Sequence, residues 1–122
     1  MQQGKIVLTR FPFTDLSSSK RRPALVLIET RAAEPDTIVA FISSIIPEIK
    51  SESDFTLLPN HPDFENTGLN KSSVIKLDKL ATLSKAIFTG EIGELTQSTF
   101  IEVQQKLKLA LQLGKYKGLD IG

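Results

Sequence analysis

Residues 10–27, which read RFPFTDLSSSKRRPALVL, are the most informative segment of this chain. It joins two apolar, strand-like segments through a serine-rich loop that ends in three consecutive cations, Lys20, Arg21 and Arg22. Pro23 fixes its own φ and favours an extended backbone at the residue before it. We therefore expect Arg22 at the root of a strand, where its guanidinium can be aimed at an anion such as phosphate.

The composition is typical of one small intracellular domain spanning residues 1–122. The chain has 122 residues, no cysteine and a single histidine, His61. This excludes a disulfide framework, a thiolate metal site and any chemistry that needs two imidazoles in one chain. No stretch has the length of a membrane span, and the first residues are too polar for a signal peptide. We expect a cytoplasmic protein without cofactor or metal.

The charge balance argues for a local patch rather than a strongly basic surface. Lysine and arginine total 15 and aspartate and glutamate total 14, which gives a formal net charge of +1. A protein that coats nucleic acid nonspecifically is usually far more basic. Any nucleic acid partner would therefore be recognised by a few placed cations.

Short apolar segments predict a sheet of five or six strands. They fall at residues 6–8, 24–28, 37–42, 55–58 and 73–77, with a sixth near 87–92, and turn-forming residues separate them. Such strands followed by a helix indicate a mainly β protein with α: a small, strongly bent antiparallel sheet or barrel with a helical lid.

The C-terminal region changes to a helical period. Thr96 is a suitable N-cap and Gly114 a suitable C′ residue. The apolar residues that recur at helical spacing between them are Phe100, Val103, Leu107 and Leu111. We expect an amphipathic helix with one stripe against the sheet, and a frayed end over residues 115–122.

Several segments, taken in order, resemble the PemK/MazF toxin family. The match in order and spacing extends along nearly the whole chain and includes the final helix. The segments are GKIV at 4–7, FPFTD at 11–15, RPALVL at 22–27, VAFISS at 39–44, GLNKSSVI at 68–75, LDKLATL at 77–83 and IGEL at 92–95.

The resemblance implies an SH3-like barrel of the PemK/MazF/CcdB type with a C-terminal helix, usually as a homodimer. It implies the toxin of a type II toxin–antitoxin system, silenced by a cognate antitoxin that also binds DNA. It further implies a metal-independent endoribonuclease that cuts single-stranded RNA and leaves 2′,3′-cyclic phosphate and 5′-hydroxyl ends.

Arg22 and Ser43 are the first two catalytic candidates. Arg22 matches the arginine of the family's Arg-Pro motif, and its fixed charge suits the non-bridging oxygens of a phosphate. It ranks as an electrostatic clamp first and a proton donor second. Ser43 stands where many relatives carry a threonine, and its hydroxyl can donate to a phosphate oxygen. Ser44 would point to the opposite sheet face, so only one of the two serines can serve.

Asp78 and Lys76 complete the catalytic set. They lie two apart on a predicted strand and so share one face. The pair resembles an arginine–aspartate arrangement of the PemK branch, with lysine in place of arginine, which suggests Asp78 as base and Lys76 as acid or phosphate contact. A surface ion pair without function is an equally good interpretation.

Further residues are candidates for binding RNA. Phenylalanines at positions 11 and 13 are the nearest side chains on which an unpaired base could stack. The cations that precede Arg22 would gather the RNA backbone or the antitoxin. The RNA-binding candidates are Phe13, Thr14, Lys20 and Arg21.

Two other functions fit the same fold. One is a toxin that acts by binding, as gyrase poisons do, without nuclease activity; the other is an inactive barrel that only binds a protein partner. The set of Arg22, Ser43, Lys76 and Asp78 favours the nuclease, because a pure binder needs no acid/base pair beside a cation.

Overall fold

Six antiparallel strands form one sheet in the order β4-β5-β3-β2-β1-β6. The computed structural model describes residues 2–10 and 21–120. The strands are β1 (Lys5–Arg10), β2 (Arg21–Glu29), β3 (Thr37–Ser43), β4 (Asp54–Leu57), β5 (Ser73–Leu83) and β6 (Phe88–Glu94); the helices are α1 (Phe64–Thr67), a 3₁₀ turn (Lys85–Ile87) and α2 (Gln97–Leu111). The mainly β fold with a C-terminal helix is confirmed. Among the described residues the outer strands β4 and β6 do not pair, so the sheet is not closed.

The central strands are apolar on both faces, which explains their continuous apolar runs. Side chains alternate between faces along a strand, so each strand feeds two separate cores. The helix face packs against α2 and contains Ile6, Leu25, Leu27, Ala40, Ile42, Leu57, Ile75, Leu77, Leu95 and Val103. The opposite face, called here the front face, is centred on Val7, Ala24, Val26, Val39 and Leu83.

Helix α2 begins as predicted and ends two residues earlier than Gly114 implied. The Thr96 hydroxyl accepts a hydrogen bond from Thr99 N, as an N-cap does. At the other end Gln112 takes the left-handed conformation, with φ 52°, and the Leu113 N–H donates to Lys108 O. This Schellman-type closure satisfies the last carbonyls without a glycine. No helix in the described ranges is long and apolar enough to cross a membrane.

The apolar stripe of α2 also differs at its end from the predicted one. Val103 is fully buried, while Leu107 and Ala110 are partly buried against the helix-face core. Leu111 is half exposed. The stripe continues through Ala110 rather than Leu111 because a helix advances 3.6 residues per turn.

Strand β5 is longer than predicted and is interrupted in the middle. Its partners on β3 step from Lys76, opposite Phe41, to Leu80, opposite Ala40. Residues 77–79 therefore have no partner on β3, as in an extended β-bulge. The apolar pattern at 73–77 ends where this irregularity begins, which is why the sequence predicted only the first half of the strand.

Asp63 connects the loop between β4 and β5 to the start of α2 by hydrogen bonds. Its carboxylate accepts hydrogen bonds from Thr96 N and Thr96 Oγ1, both at 2.8 Å. Burial alone would raise the pKa of Asp63, but the bonds from Thr96 and Thr99 lower that pKa below its ordinary value. The short helix α1 beside it was not predicted, because two prolines and a glycine made residues 59–68 read as a loop.

Asp63→Asn should lower the free energy of unfolding at pH 7 by about 1.5–3 kcal/mol, since the hydrogen bonds from Thr96 lose their charged acceptor. A carboxylate whose folded pKa is lowered stabilises the fold fully above its unfolded pKa, about 4, and loses that effect as pH falls through the folded pKa. Urea unfolding of parent and variant at pH 7 and pH 3 should thus show the difference shrinking at low pH. A difference that is constant or grows would contradict this account of Asp63.

Candidate active site

A row of paired residues brings one ion pair onto the front face. Ala24 on β2 lies opposite Phe41 on β3, Phe41 lies opposite Lys76 on β5, and Lys76 lies opposite Asp54 on β4. Directly opposed residues in antiparallel strands project to the same face. Because Ala24 belongs to the front-face core, Lys76 and Asp54 project to the front face as well.

Arg22 and Ser43 occupy the next row of the same face. Arg22 precedes Ala24 by two residues, and Ser43 follows Phe41 by two, so the period of the pleat returns both to the front face. Arg22 is exposed and lies opposite Thr9 on β1. Three predicted residues, Arg22, Ser43 and Lys76, therefore share one face near the ends of adjacent strands.

The two serines at the end of β3, Ser43 and Ser44, have different surroundings. Ser43 Oγ accepts a hydrogen bond from Ile45 N at 3.0 Å, which orients the hydroxyl at the start of the loop. Ser44 instead lines a cleft beside Arg22. Ser43 therefore belongs to the front-face row, while Ser44 belongs to the cleft.

The cleft beside Arg22 has a volume of about 330 Å³ and a polar, cationic rim. Three cations and three neutral hydrogen-bonding side chains approach it. The polar lining residues are Arg21, Arg22, Ser44, Asn70, Lys71 and Ser73. Several donors around one opening suit an anion such as a phosphate group. Asn70 and Lys71 were not predicted as site residues, because in the sequence the segment at 68–75 stood out only as a family signature.

Lys76 pairs with a carboxylate that the sequence analysis did not assign to it. Lys76 Nζ lies 3.2 Å from Asp54 Oδ1, and their side chains are 21% and 1% exposed. Within the described part of the chain, Asp54 Oδ1 accepts no well-aligned hydrogen bond, so the contact is ionic rather than a good hydrogen bond. The ammonium bridges a buried carboxylate and the open face.

Asp78 lies apart from this ion pair. Its side chain is exposed, and no ion pair joins it to Lys76 among the described residues. The strand irregularity at 77–79 interrupts the alternation that the predicted pairing assumed. Neither Asp78 nor Lys76 lines the cleft beside Arg22.

One of the four predicted RNA-binding residues lies within the described part of the chain. Phe13, Thr14 and Lys20 lie outside the described residues; of the four, Arg21 is described, and it lies at the cleft. In residues 2–10 and 21–120 no group of three or more His, Cys, Asp or Glu side chains could hold a metal ion.

The described face and cleft belong to a chain that matches a known family almost from end to end. Residues 2–111 match the PemK-like, MazF-like toxins of type II toxin–antitoxin systems. The chain belongs to this toxin family. Comparison with curated protein sequences gives no match.

Solved structures of MazF toxins share the fold. The Mycobacterium tuberculosis toxin MazF-mt6 is 22% identical, with a TM-score of 0.67, and the match covers 89% of this chain and 97% of that one. A mycobacterial endoribonuclease in complex with its cognate antitoxin is 18% identical, with a TM-score of 0.67 and coverage of 95% and 99%. MazF from Deinococcus radiodurans is 22% identical, with a TM-score of 0.61 and coverage of 91% and 94%.

In this MazF-like toxin, loss of one partner of the Lys76–Asp54 pair should destabilise the fold. Lys76→Met leaves the buried Asp54 carboxylate without its ionic partner, and we expect it to lower the free energy of unfolding by about 3–5 kcal/mol. Adding Asp54→Asn should recover most of that loss, because the uncompensated charge disappears. Urea unfolding measures both variants.

Lys71→Met is the matched control, because Lys71 is an exposed lysine at the cleft. It should change the free energy of unfolding by no more than about 0.5 kcal/mol. A Lys76→Met protein as stable as the parent would show that the pair does not balance a buried charge.

Proposed function

We propose that this toxin is a metal-independent endoribonuclease that cleaves single-stranded RNA and leaves 2′,3′-cyclic phosphate and 5′-hydroxyl ends. The observation that carries the proposal is the shared face of Arg22, Ser43 and Lys76, which aims a guanidinium, a hydroxyl and an ammonium at one side of the sheet. Membership of the MazF-like toxin family and the similarity to a mycobacterial chain described as an endoribonuclease support it.

The reaction needs a base, a stabiliser of negative charge and a proton donor. The base removes the 2′-hydroxyl proton, and the 2′-oxygen forms a bond to phosphorus while the bond from phosphorus to the 5′-oxygen breaks. The leaving 5′-oxygen takes a proton from the acid. Negative charge that develops on the non-bridging oxygens is stabilised by fixed cations and hydrogen-bond donors.

Each role has a candidate on the chain. Arg22 clamps the non-bridging oxygens, because its planar fork can make two parallel hydrogen bonds to a phosphate. Ser43 accepts from Ile45 N, and its hydroxyl donates to Ile45 O only over a long 3.5 Å, so in the bound state the hydroxyl hydrogen would turn to the phosphate instead. Lys76 is the second cation and candidate acid, and Asp78, exposed beyond it, is the candidate base.

The cleft would hold the RNA on one side of the cut. Arg21 and Lys71 at its rim would neutralise phosphates next to the scissile one. Phe13, Thr14 and Lys20, outside the described residues, stay candidates for further RNA contact. If about three phosphates are neutralised on a single strand, the logarithm of the binding constant should fall with the logarithm of salt concentration with a slope of roughly −2.

The protein partners follow from the same proposal. A cognate antitoxin would block the face and cleft with acidic or apolar groups laid against Arg21 and Arg22, and it would link the toxin to DNA. A homodimer would use a sheet edge or α2, which exposes Ile101 and Leu109 by nearly half.

Incubation of the purified protein with a long single-stranded RNA in EDTA tests the activity. The parent should give discrete fragments with 5′-hydroxyl ends, and Arg22→Ala should cut about 10²–10³-fold more slowly, as loss of a charge-stabilising donor does. Arg31→Ala removes an exposed arginine from the turn after β2 and should cut at the parent rate.

Two results would contradict the nuclease assignment. RNA that stays intact at high protein excess would favour a toxin that acts by binding. Cleavage that depends on added metal, or fragments without 5′-hydroxyl ends, would exclude attack by the 2′-hydroxyl as the mechanism.

The two serines should separate in steady-state kinetics. Ser43→Ala should lower kcat by about tenfold or more, since its hydroxyl is assigned to the transition state, and Ser43→Thr should retain activity. Ser44→Ala should raise KM with little change in kcat, because Ser44 lines the cleft. The reverse pattern would transfer the catalytic role to Ser44.

A further inference from the structure

Asp54 is a buried carboxylate that the proposed reaction does not use. Its side chain is 1% exposed and lies on the short edge strand β4. A buried ion pair is often no more stabilising than apolar side chains of similar volume. Stability alone therefore does not account for an aspartate and a lysine at this pair of positions.

The surrounding turn fixes the carboxylate. Asp54 Oδ2 accepts from Ser51 N at 3.2 Å, and Asp54 N donates to Ser51 O at 3.1 Å. A further hydrogen bond connects this turn to β5, because Leu77 N donates to Ser53 O at 2.9 Å. The other carboxylate oxygen of Asp54, Oδ1, takes no part in these hydrogen bonds and lies 3.2 Å from Lys76 Nζ.

The lysine needs such a restraint if it is to act on a phosphate. A lysine side chain carries its compact charge on a flexible four-carbon stem, so the position of a lone ammonium is poorly defined. Lys76 lies beside Phe41 in the front-face row, and its ammonium keeps a partly open side. A fixed anion behind the ammonium restricts its position while leaving the outer N–H bonds available to a ligand.

We propose that Asp54 is a positioning residue that holds the Lys76 ammonium in place for the scissile phosphate; this rests on the endoribonuclease activity proposed above. Asp54 acts through Lys76 and does not itself touch RNA, since a side chain buried to this degree cannot reach a 2′-hydroxyl. The exposed Asp78 remains the candidate base, and the two carboxylates have different roles.

A double-mutant cycle measured with excess protein over RNA tests the proposal. Asp54→Asn keeps the size of the side chain and an acceptor for Ser51 N, and it should lower the cleavage rate about 10–100-fold with little change in KM, as a loss of orientation does. In the Lys76→Met background, Asp54→Asn should cause no further loss, because the group that it positions is absent.

Asp63→Asn is the matched control for damage to the fold. Asp63 is also a buried aspartate, but its partner is Thr96, the N-cap of α2, and not Lys76. This variant should lose stability and keep the parent kcat per folded molecule. Asp54→Asn at the parent rate, or the same rate loss with and without Lys76, would overturn the proposal.

A second readout separates this proposal from the activity itself. In the parent, the side-chain ammonium NMR signal of Lys76 should be distinct from that of exposed Lys71, and in Asp54→Asn it should move to the exposed-lysine position. An unchanged Lys76 signal would overturn the positioning role whether or not the protein cuts RNA. A parent that fails to cut, with the signal shifted as expected, would overturn the nuclease activity alone.

Discussion

The burial of the central strands on both faces determines where polar chemistry can occur in this toxin. Val26 and Val39 fill one face of β2 and β3 while Leu25 and Ile42 fill the other, and all four are buried. A charged side chain placed between them would be removed from water and would have no partner, which is energetically costly. The charged residues of β1 and β2 therefore lie at the ends of those strands, and β3 has none. Antiparallel pairing then brings the start of β2, the end of β3 and the first half of β5 together.

Two surfaces, the front face and the cleft, lie where these three strands meet. Arg22 lies on the same face as Lys76 and also lines the cleft, whereas Arg21 alternates to the other face and lines the cleft together with Lys71. Arg22 is thus the residue that the two surfaces share. In the proposed function the front face carries the chemistry, and the cleft binds the phosphates that flank the cut.

The strands, the helix and its N-cap could be predicted because they depend on local periodicity and short-range hydrogen bonds. Pro23 placed Arg22 at a strand root for the same local reason. The interruption of β5 could not be predicted, because it depends on how β3 and β5 pair across more than thirty residues of chain. Register is a long-range property that a single strand pattern does not contain.

The same limit explains the partner of Lys76. The sequence suggested Asp78, two residues away, because period two is the only neighbour relation visible within one strand. The structure instead pairs Lys76 with Asp54, which reaches it across the β4–β5 ladder. The Asn70 and Lys71 side of the cleft was missed for a related reason: their contribution appears only when the turn after α1 folds back beside β2.

The most direct test of the central claim is a crystal structure of the toxin with a single-stranded RNA whose 2′-hydroxyl is removed at the cut site. We predict one phosphate within about 3 Å of both the Arg22 guanidinium and the Lys76 ammonium, with Lys76 still paired to Asp54. A scissile phosphate held away from the front face, with neither Arg22 nor Lys76 in contact, would contradict it.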